Sequence, residues 1–245
     1  MKGLKGNNKN ICVELGDSTS PLSYSCLKKT KIKGNAIIYK LNNERHWNFL
    51  KPLNDVPWSY KNNEAIWRGV STGHEWREEG GCERYWLVSR FSYSKNPSIN
   101  VGITKYVQNV KHEWGTKWGL TKSRMLRSKI LIFAEGNDVS TGLKWGLQSN
   151  SAIIMPEPRV KSWLMETMLI PYVHYIPVSS DFSDLEEKVN WCFENDKECK
   201  EIGETGGCWI GQFLDGERER EVMKEIWRIA VERQEVEGVC DGDVL

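Results

Sequence analysis

The sequence predicts an α/β fold built on a parallel, Rossmann-like sheet, and three observations predict it. Short apolar runs alternate with helical patterns through the second half of the chain, the signature of βαβ units. One run, Lys129–Ala134, is apolar along most of its length, as a strand buried on both faces must be. A glycine turn and a helical pattern follow it at once, in the stretch FAEGNDVSTGLKW from Phe133 to Trp145. Ligands of such sheets sit beyond the carboxyl ends of the strands.

In chain order, Ile11–Leu15, Ala36–Leu41 and Ala65–Arg68 read as short strands between polar, Asn-rich loops. A helix is expected near Glu83–Phe91 and a strand at Ile99–Ile103, whereas residues 104–122 carry no clear pattern. After the buried run come a helix over Asp138–Asn150, a strand at Ala152–Met155, a helix over Val160–Met168 and a strand at Val173–Pro177. Three acidic helices end the chain, near Asp184–Glu194, Asp196–Leu214 (broken around Gly206-Gly207) and Glu217–Val236. In the last, Val222, Ile226, Ile229, Ala230 and Arg233 follow the spacing of a packed stripe.

The chain has 245 residues, with 34 Lys and Arg against 33 Asp and Glu. That balance argues against a dedicated nucleic-acid binder, which carries a strong basic excess. It conceals an asymmetry, because residues 1–180 sum to +12 and residues 181–245 to −11. A basic body suits an anionic small ligand, and solvated helix faces account for the same numbers. No apolar run approaches the ~18 residues of a membrane span, and the opening MKGLKGNNKN lacks the core of a signal peptide. Seven cysteines without a CxxC pair argue against a disulfide scaffold or a zinc ribbon. The expectation is a soluble, reduced, cytoplasmic protein.

The junction at 133–145 presents backbone N–H groups and the positive end of a helix dipole, which together attract phosphate. Asp138 or Ser140 can cap the helix, and Lys144 can lean back toward an anion. An ordinary capped helix in an α/β sheet has the same local sequence.

Across residues 11–215 the chain resembles glycosyltransferase family 90, the CAP10-like glycosyltransferases. The resemblance rests on EGNDVSTGLKWGLQSNSAIIMP, SWLMETMLIPYVHYIPV and DFSDLEEKVNWCFEND, in that order. Upstream, AIWRGVSTG, the Cys82-Glu83-Arg84 stretch followed by WLVSR, and ICVELGDSTSP are similar to further family segments. The chain looks closer to short forms found in microbes and large algal viruses than to the longer eukaryotic members. The resemblance implies a GT-B fold of two Rossmann-like domains with the donor site in the cleft. Residues 1–122 would form a shortened acceptor-side domain, and 123–245 the nucleotide-sugar domain with its terminal helices. The implied reaction is inverting, metal-independent transfer from a UDP-sugar, xylose ahead of glucose, to a hydroxyl of a glycan or glycoprotein. The UDP-sugar is a co-substrate, and no cofactor, metal, nucleic acid or membrane span is expected. A non-catalytic nucleotide- or carbohydrate-binding protein on the same fold is the alternative.

By the same resemblance Asp17 matches the acceptor-side aspartate, the general base that attack by a hydroxyl requires; its Gly-Asp-Ser setting equally suits a turn former. Arg68, Ser71, Thr72 and Arg84 would meet the diphosphate, where fixed cations and hydroxyl donors stabilise a departing UDP. Asp138, Val139, Ser140, Thr141 and Lys144 would hold phosphate and ribose, with Lys144 standing where many family members carry Arg. Glu135 either reaches the ligand or closes the strand. Trp67, Trp145, Trp163 and Trp191 can stack on sugars or uracil or fill the core. His174 reads as a satisfied buried histidine. Asp241-Gly242-Asp243 spells a metal-binding DxD, but in an acidic tail rather than at a strand end.

Overall fold

The computed structural model describes residues 11–14, 25–40, 54–73, 82–108 and 114–237. Three two-residue strands, β1 (Val13–Glu14), β2 (Leu27–Lys28) and β3 (Ile37–Ile38), form a small parallel sheet. The main sheet is parallel throughout, with strands β4 (Asn62–Val70), β5 (Ile99–Lys105), β6 (Ser128–Ile132), β7 (Ala152–Met155) and β8 (Ile176–Pro177). Their order is β5-β4-β6-β7-β8. From β4 the chain crosses through α1 (Glu83–Phe91) to β5 on one side. It then returns through α2 (Lys122–Met125) to β6 on the other. The direction of winding therefore reverses between β4 and β6, and such a switch point opens a crevice at the strand ends.

The apolar runs alternate across this sheet as the pleat requires. Ile130, Ile132, Ala152 and Ile154 join Leu87, Val88 and Phe91 of α1 in one core. Leu131, Phe133, Ile153 and Met155 join Leu143, Trp145 and Leu147 of α3 (Leu143–Leu147) in the other. Helices α4 (Leu185–Glu194), α5 (Asp196–Gly211) and α6 (Gly216–Val236) complete the chain. Among the described residues no helix is long and apolar enough to cross a membrane.

Several expectations are corrected. The sheet runs through the domain boundary expected at 122, since β4 and β5 precede it and β6 follows it. The described residues thus hold one Rossmann-like sheet and a three-strand miniature rather than two Rossmann-like domains. The helix expected over Val160–Met168 is a loop ending in a 3-10 turn at Glu166–Met168. There Glu166 accepts Ser162 N–H at 2.6 Å and Lys144 at 2.8 Å, a tertiary pairing that overrides local propensity. Gly206-Gly207 do not break α5. A Cβ on Gly206 would lie 2.7 Å from the His174 carbonyl, so glycine there lets the helix approach the chain closely.

Helix α6 also differs from the expected stripe. Val222 is exposed, while Glu219, Ala230 and Gln234 are buried. The helix crosses back to the small sheet. Gln234 accepts Cys12 N–H at 2.9 Å and donates to Ser25 O at 2.6 Å, Lys40 pairs with Glu219, and Tyr39 meets Trp227 at 5.9 Å between rings. Cys12 and Cys26 are disulfide-bonded, with Cα atoms 4.9 Å apart. This corrects the expectation of fully reduced cysteines.

Candidate functional site

The carboxyl ends of β4 and β6 carry two glycine turns, and the side chains of α1 stitch them together. After β4 the chain passes Ser71 and Thr72 to Gly73, whose φ of +140° favours glycine. After β6 it runs through Glu135-Gly136-Asn137. Asn137 Oδ1 accepts Gly73 N–H at 3.0 Å and so ties one turn to the other. Arg84 Nη1 donates to Val70 O at 3.1 Å and to Thr72 Oγ1, and its Nε and Nη2 donate to Ala134 O at 3.4 Å. A Cβ on Gly136 would lie 2.9 Å from Arg84 Nη2, so the turn must be glycine for the guanidinium to lie against it.

A cavity of about 200 Å³ opens here, lined by Trp67, Arg68, Gly69, Arg84, Phe133, Ser140, Thr141 and Trp145 among others. It sits at the switch point. The structure therefore gathers Arg68, Arg84, Ser140 and Thr141 from the sequence expectations around one crevice. Trp67 and Trp145 wall it, although both are largely core residues.

Other expected residues take different positions. Ser71 is buried, its hydroxyl donating to Val107 O at 3.0 Å and accepting Val107 N–H at 2.7 Å; it clips β4 to the end of β5. The Arg68 guanidinium turns toward β5, donating to Asn100 O at 2.8 Å and Asn100 Oδ1 at 2.7 Å. Lys144 is 1% exposed and its ammonium lies 2.8 Å from Glu166. The expected lean toward the glycine turn is thus corrected, because burial of that ammonium demands a carboxylate partner. Helix α3 starts at Leu143, and neither Asp138 nor Ser140 is its cap; Gly142 holds that place with no side-chain bond. Asp138 instead pairs with Lys29 at 2.5 Å, a cation delivered from the small sheet. Val139 is buried. His174 is satisfied as expected, its Nδ1 accepting Ile170 N–H at 2.9 Å, and Trp163 packs in the core. Asp17 and Asp241-Gly242-Asp243 lie outside the described residues.

Glu83 and Arg159, for which no role was expected, join Glu135, expected either to reach the ligand or to close the strand. Glu83 is 5% exposed and accepts Glu135 N–H at 2.7 Å. Burial, and then the neighbouring Glu135 charge, push its carboxyl up to about 7. Glu135 Oε1 accepts the N–H groups of Arg159 and Val160 at 2.9 and 3.0 Å, and burial raises its pKa as well. Arg159 follows β7 and stands 3.4 Å from both carboxylates. In the sequence Glu83 stands only within the Cys82-Glu83-Arg84 stretch, with no role of its own. Arg159 had a visible signal, a cation just past the carboxyl end of an expected strand.

The model of glycosyl transferase family 90 matches residues 42–228. The chain belongs to that family. It is 32% identical over 191 residues to "O-glucosyltransferase LpsA" of Dichelobacter nodosus, covering 78% of this chain and 55% of that protein. It is 27% identical to "Uncharacterized protein 179R" of Invertebrate iridescent virus 6, over 70% of this chain and 17% of the viral one. With rat "Protein O-glucosyltransferase 3" it shares 28% identity over 72% of this chain and 36% of the other. The chain thus spans about half the length of the bacterial relative and a smaller share of the others. A solved C-terminal domain of a group 1 glycosyl transferase from Francisella tularensis aligns over 72% of this chain at 8% identity and a TM-score of 0.39, a likeness too slight to bear on the fold. The family match encloses the whole crevice, from β4 to the 159–160 loop.

Proposed function

We propose that the chain is a glycosyltransferase that moves a sugar from a UDP-sugar to a hydroxyl of a glycan or glycoprotein. The observation that carries this reading is the 200 Å³ crevice at the switch point, because all its named lining residues fall within the stretch matched by the family. A diphosphate at the strand ends would meet the Arg84 charge, already fixed by three backbone and hydroxyl contacts. A charge that need not reorganise stabilises a leaving group better than a mobile one. Ser140 and Thr141, both hydroxyl residues, line the same space. The names of the relatives favour glucose over the xylose expected from sequence.

In this reading transfer proceeds with inversion and without a required metal. Asp17 takes the proton of the attacking hydroxyl, and the acceptor approaches from the side of the small sheet, which already touches the site through Lys29. Ligand-observed NMR with UDP, UDP-glucose, UDP-xylose and GDP-mannose, with and without EDTA, tests it. Selective binding of UDP and one UDP-sugar, unaffected by EDTA and followed by slow sugar release, supports an enzyme. Binding without release or transfer points to the non-catalytic alternative, and absence of any uridine-dependent signal refutes the site. Asp17→Asn should leave UDP binding intact and abolish transfer; normal turnover in that variant would remove Asp17 as the base.

A further inference from the structure

Besides Lys29 on Asp138, four cations among the described residues stand near the carboxyl ends of β4, β6 and β7, and three of these four are held by the protein. Arg68 is turned onto Asn100. Lys144 is buried against Glu166. Arg84 is fastened to Val70, Thr72 and Ala134. Arg159 differs in exposure and in the length of its ion pairs. Its side chain is 65% exposed, and its ion pairs among the described residues, with Glu83 and Glu135, are long at 3.4 Å. Its backbone is nevertheless fixed. Pro156 and Pro158 stiffen the loop that leads to it, and Glu135 Oε1 holds the N–H groups of Arg159 and Val160.

We infer that Arg159 is a second cation on the diphosphate of the nucleotide, joining the fixed Arg84 by swinging from Glu83 and Glu135 onto the phosphate oxygens. The inference rests on the proposed function and adds to it a residue for one part of the donor. A guanidinium presents paired N–H donors to phosphate oxygens, a stronger match than two ion pairs at 3.4 Å. The loop that carries it lies beside the small pocket shared by Glu83, Glu135, Val139, Ser140 and Val160. That pocket adjoins the main crevice through Phe133 and Ser140, which line both. The exchange is favoured because Glu83 is buried and Glu135 half-buried, and a carboxyl whose pKa is raised tolerates losing its cation by taking up a proton. Glu83 faces Glu135, Arg84 and Arg159, and its carboxyl is already pushed up to about 7.

Isothermal titration of the full chain with UDP and with uridine, in wild type, Arg159→Met and Arg159→Lys, tests the inference. Wild type should bind UDP more tightly than uridine. Arg159→Met, which keeps the aliphatic stem, should weaken UDP binding roughly tenfold or more, as loss of a charged hydrogen bond implies, with uridine binding unchanged. Arg159→Lys should recover part of the loss. UDP affinity unchanged in Arg159→Met overturns the inference and leaves the proposed function standing. Equal loss of UDP and uridine in that variant also overturns it, since the residue would then shape the pocket rather than hold phosphate. Failure of wild type to bind either ligand overturns the proposed function itself, and the inference falls with it.

Discussion

Glu83 and Arg84, neighbours at the start of α1, grip opposite ends of one peptide unit. Glu83 accepts the Glu135 N–H at 2.7 Å, and Arg84 donates to the Ala134 carbonyl at 3.4 Å. Both groups belong to the peptide that joins the end of the β6 run to the glycine turn. One helix start thereby sets the orientation of the turn against which the crevice is built. The two residues share the work unequally, because Arg84 also reaches across to β4 while Glu83 reaches on toward Arg159.

Removing the guanidinium should loosen both strand ends. Arg84→Ala leaves Val70 O and Ala134 O without their donor, and is expected to cost about 1.5–3 kcal/mol of stability. UDP binding should weaken in the same variant. Urea unfolding and a UDP titration check the two effects, and a fully stable Arg84→Ala would refute the structural part.

The Glu83 carboxyl gives a pH signature of definite sign. Its folded-state pKa, about 7, lies above the ordinary carboxylate value, so the native state holds a proton that the unfolded chain has released. Its contribution to stability is complete below the unfolded pKa and disappears as pH rises through about 7. Between about pH 5 and about pH 8 the melting temperature of wild type should therefore fall relative to Glu83→Gln. Parallel melting profiles across that range would show that Glu83 titrates normally.

Lys144 and Glu166 should behave as a buried pair. Lys144→Ala leaves an uncompensated carboxylate and is expected to destabilise by roughly 3–5 kcal/mol. The double change Lys144→Met with Glu166→Gln, which removes both charges and keeps an acceptor for Ser162 N–H, should be much milder. Denaturant titrations of the three proteins measure the coupling. A stable Lys144→Ala that had simply lost UDP affinity would restore the direct phosphate role expected from sequence.

Two glycines of α5 should respond in opposite directions. Gly206→Ala forces a methyl against the His174 carbonyl and is expected to cost about 1–3 kcal/mol. Gly211 has open space around its Cβ position, and Gly211→Ala should stabilise the helix by up to about 1 kcal/mol. Thermal melts separate the two, and equal effects would mean that Gly206 is not a packing position.

Much of the fold was legible because it is written locally. The strand at Ala152–Met155 and the helix at Glu83–Phe91 fall where periodicity puts them. The continuous apolar character of the β6 run is a direct consequence of burial on both faces. The glycine turn after it was also readable, and with it Ser140 and Thr141. What failed were readings that depended on a distant partner. The 160–168 segment has a helical pattern, yet Glu166 folds back onto Ser162 and Lys144. Asp138 looks like a cap, yet Lys29 claims it from more than a hundred residues away.

The sequence by itself determined the alternation of strand and helix, the buried strands, the glycine turn at the end of the β6 run and the resemblance to a glycosyltransferase family. Periodicity and turn chemistry depend on near neighbours, so one chain suffices to read them. Only the tertiary structure decided the strand order, the switch point between β4 and β6, and the assignment of each cation to its counterpart. A buried or half-buried charge takes whichever opposite charge or carbonyl the folded chain brings within about 3 Å, and that choice follows from the path of the whole chain.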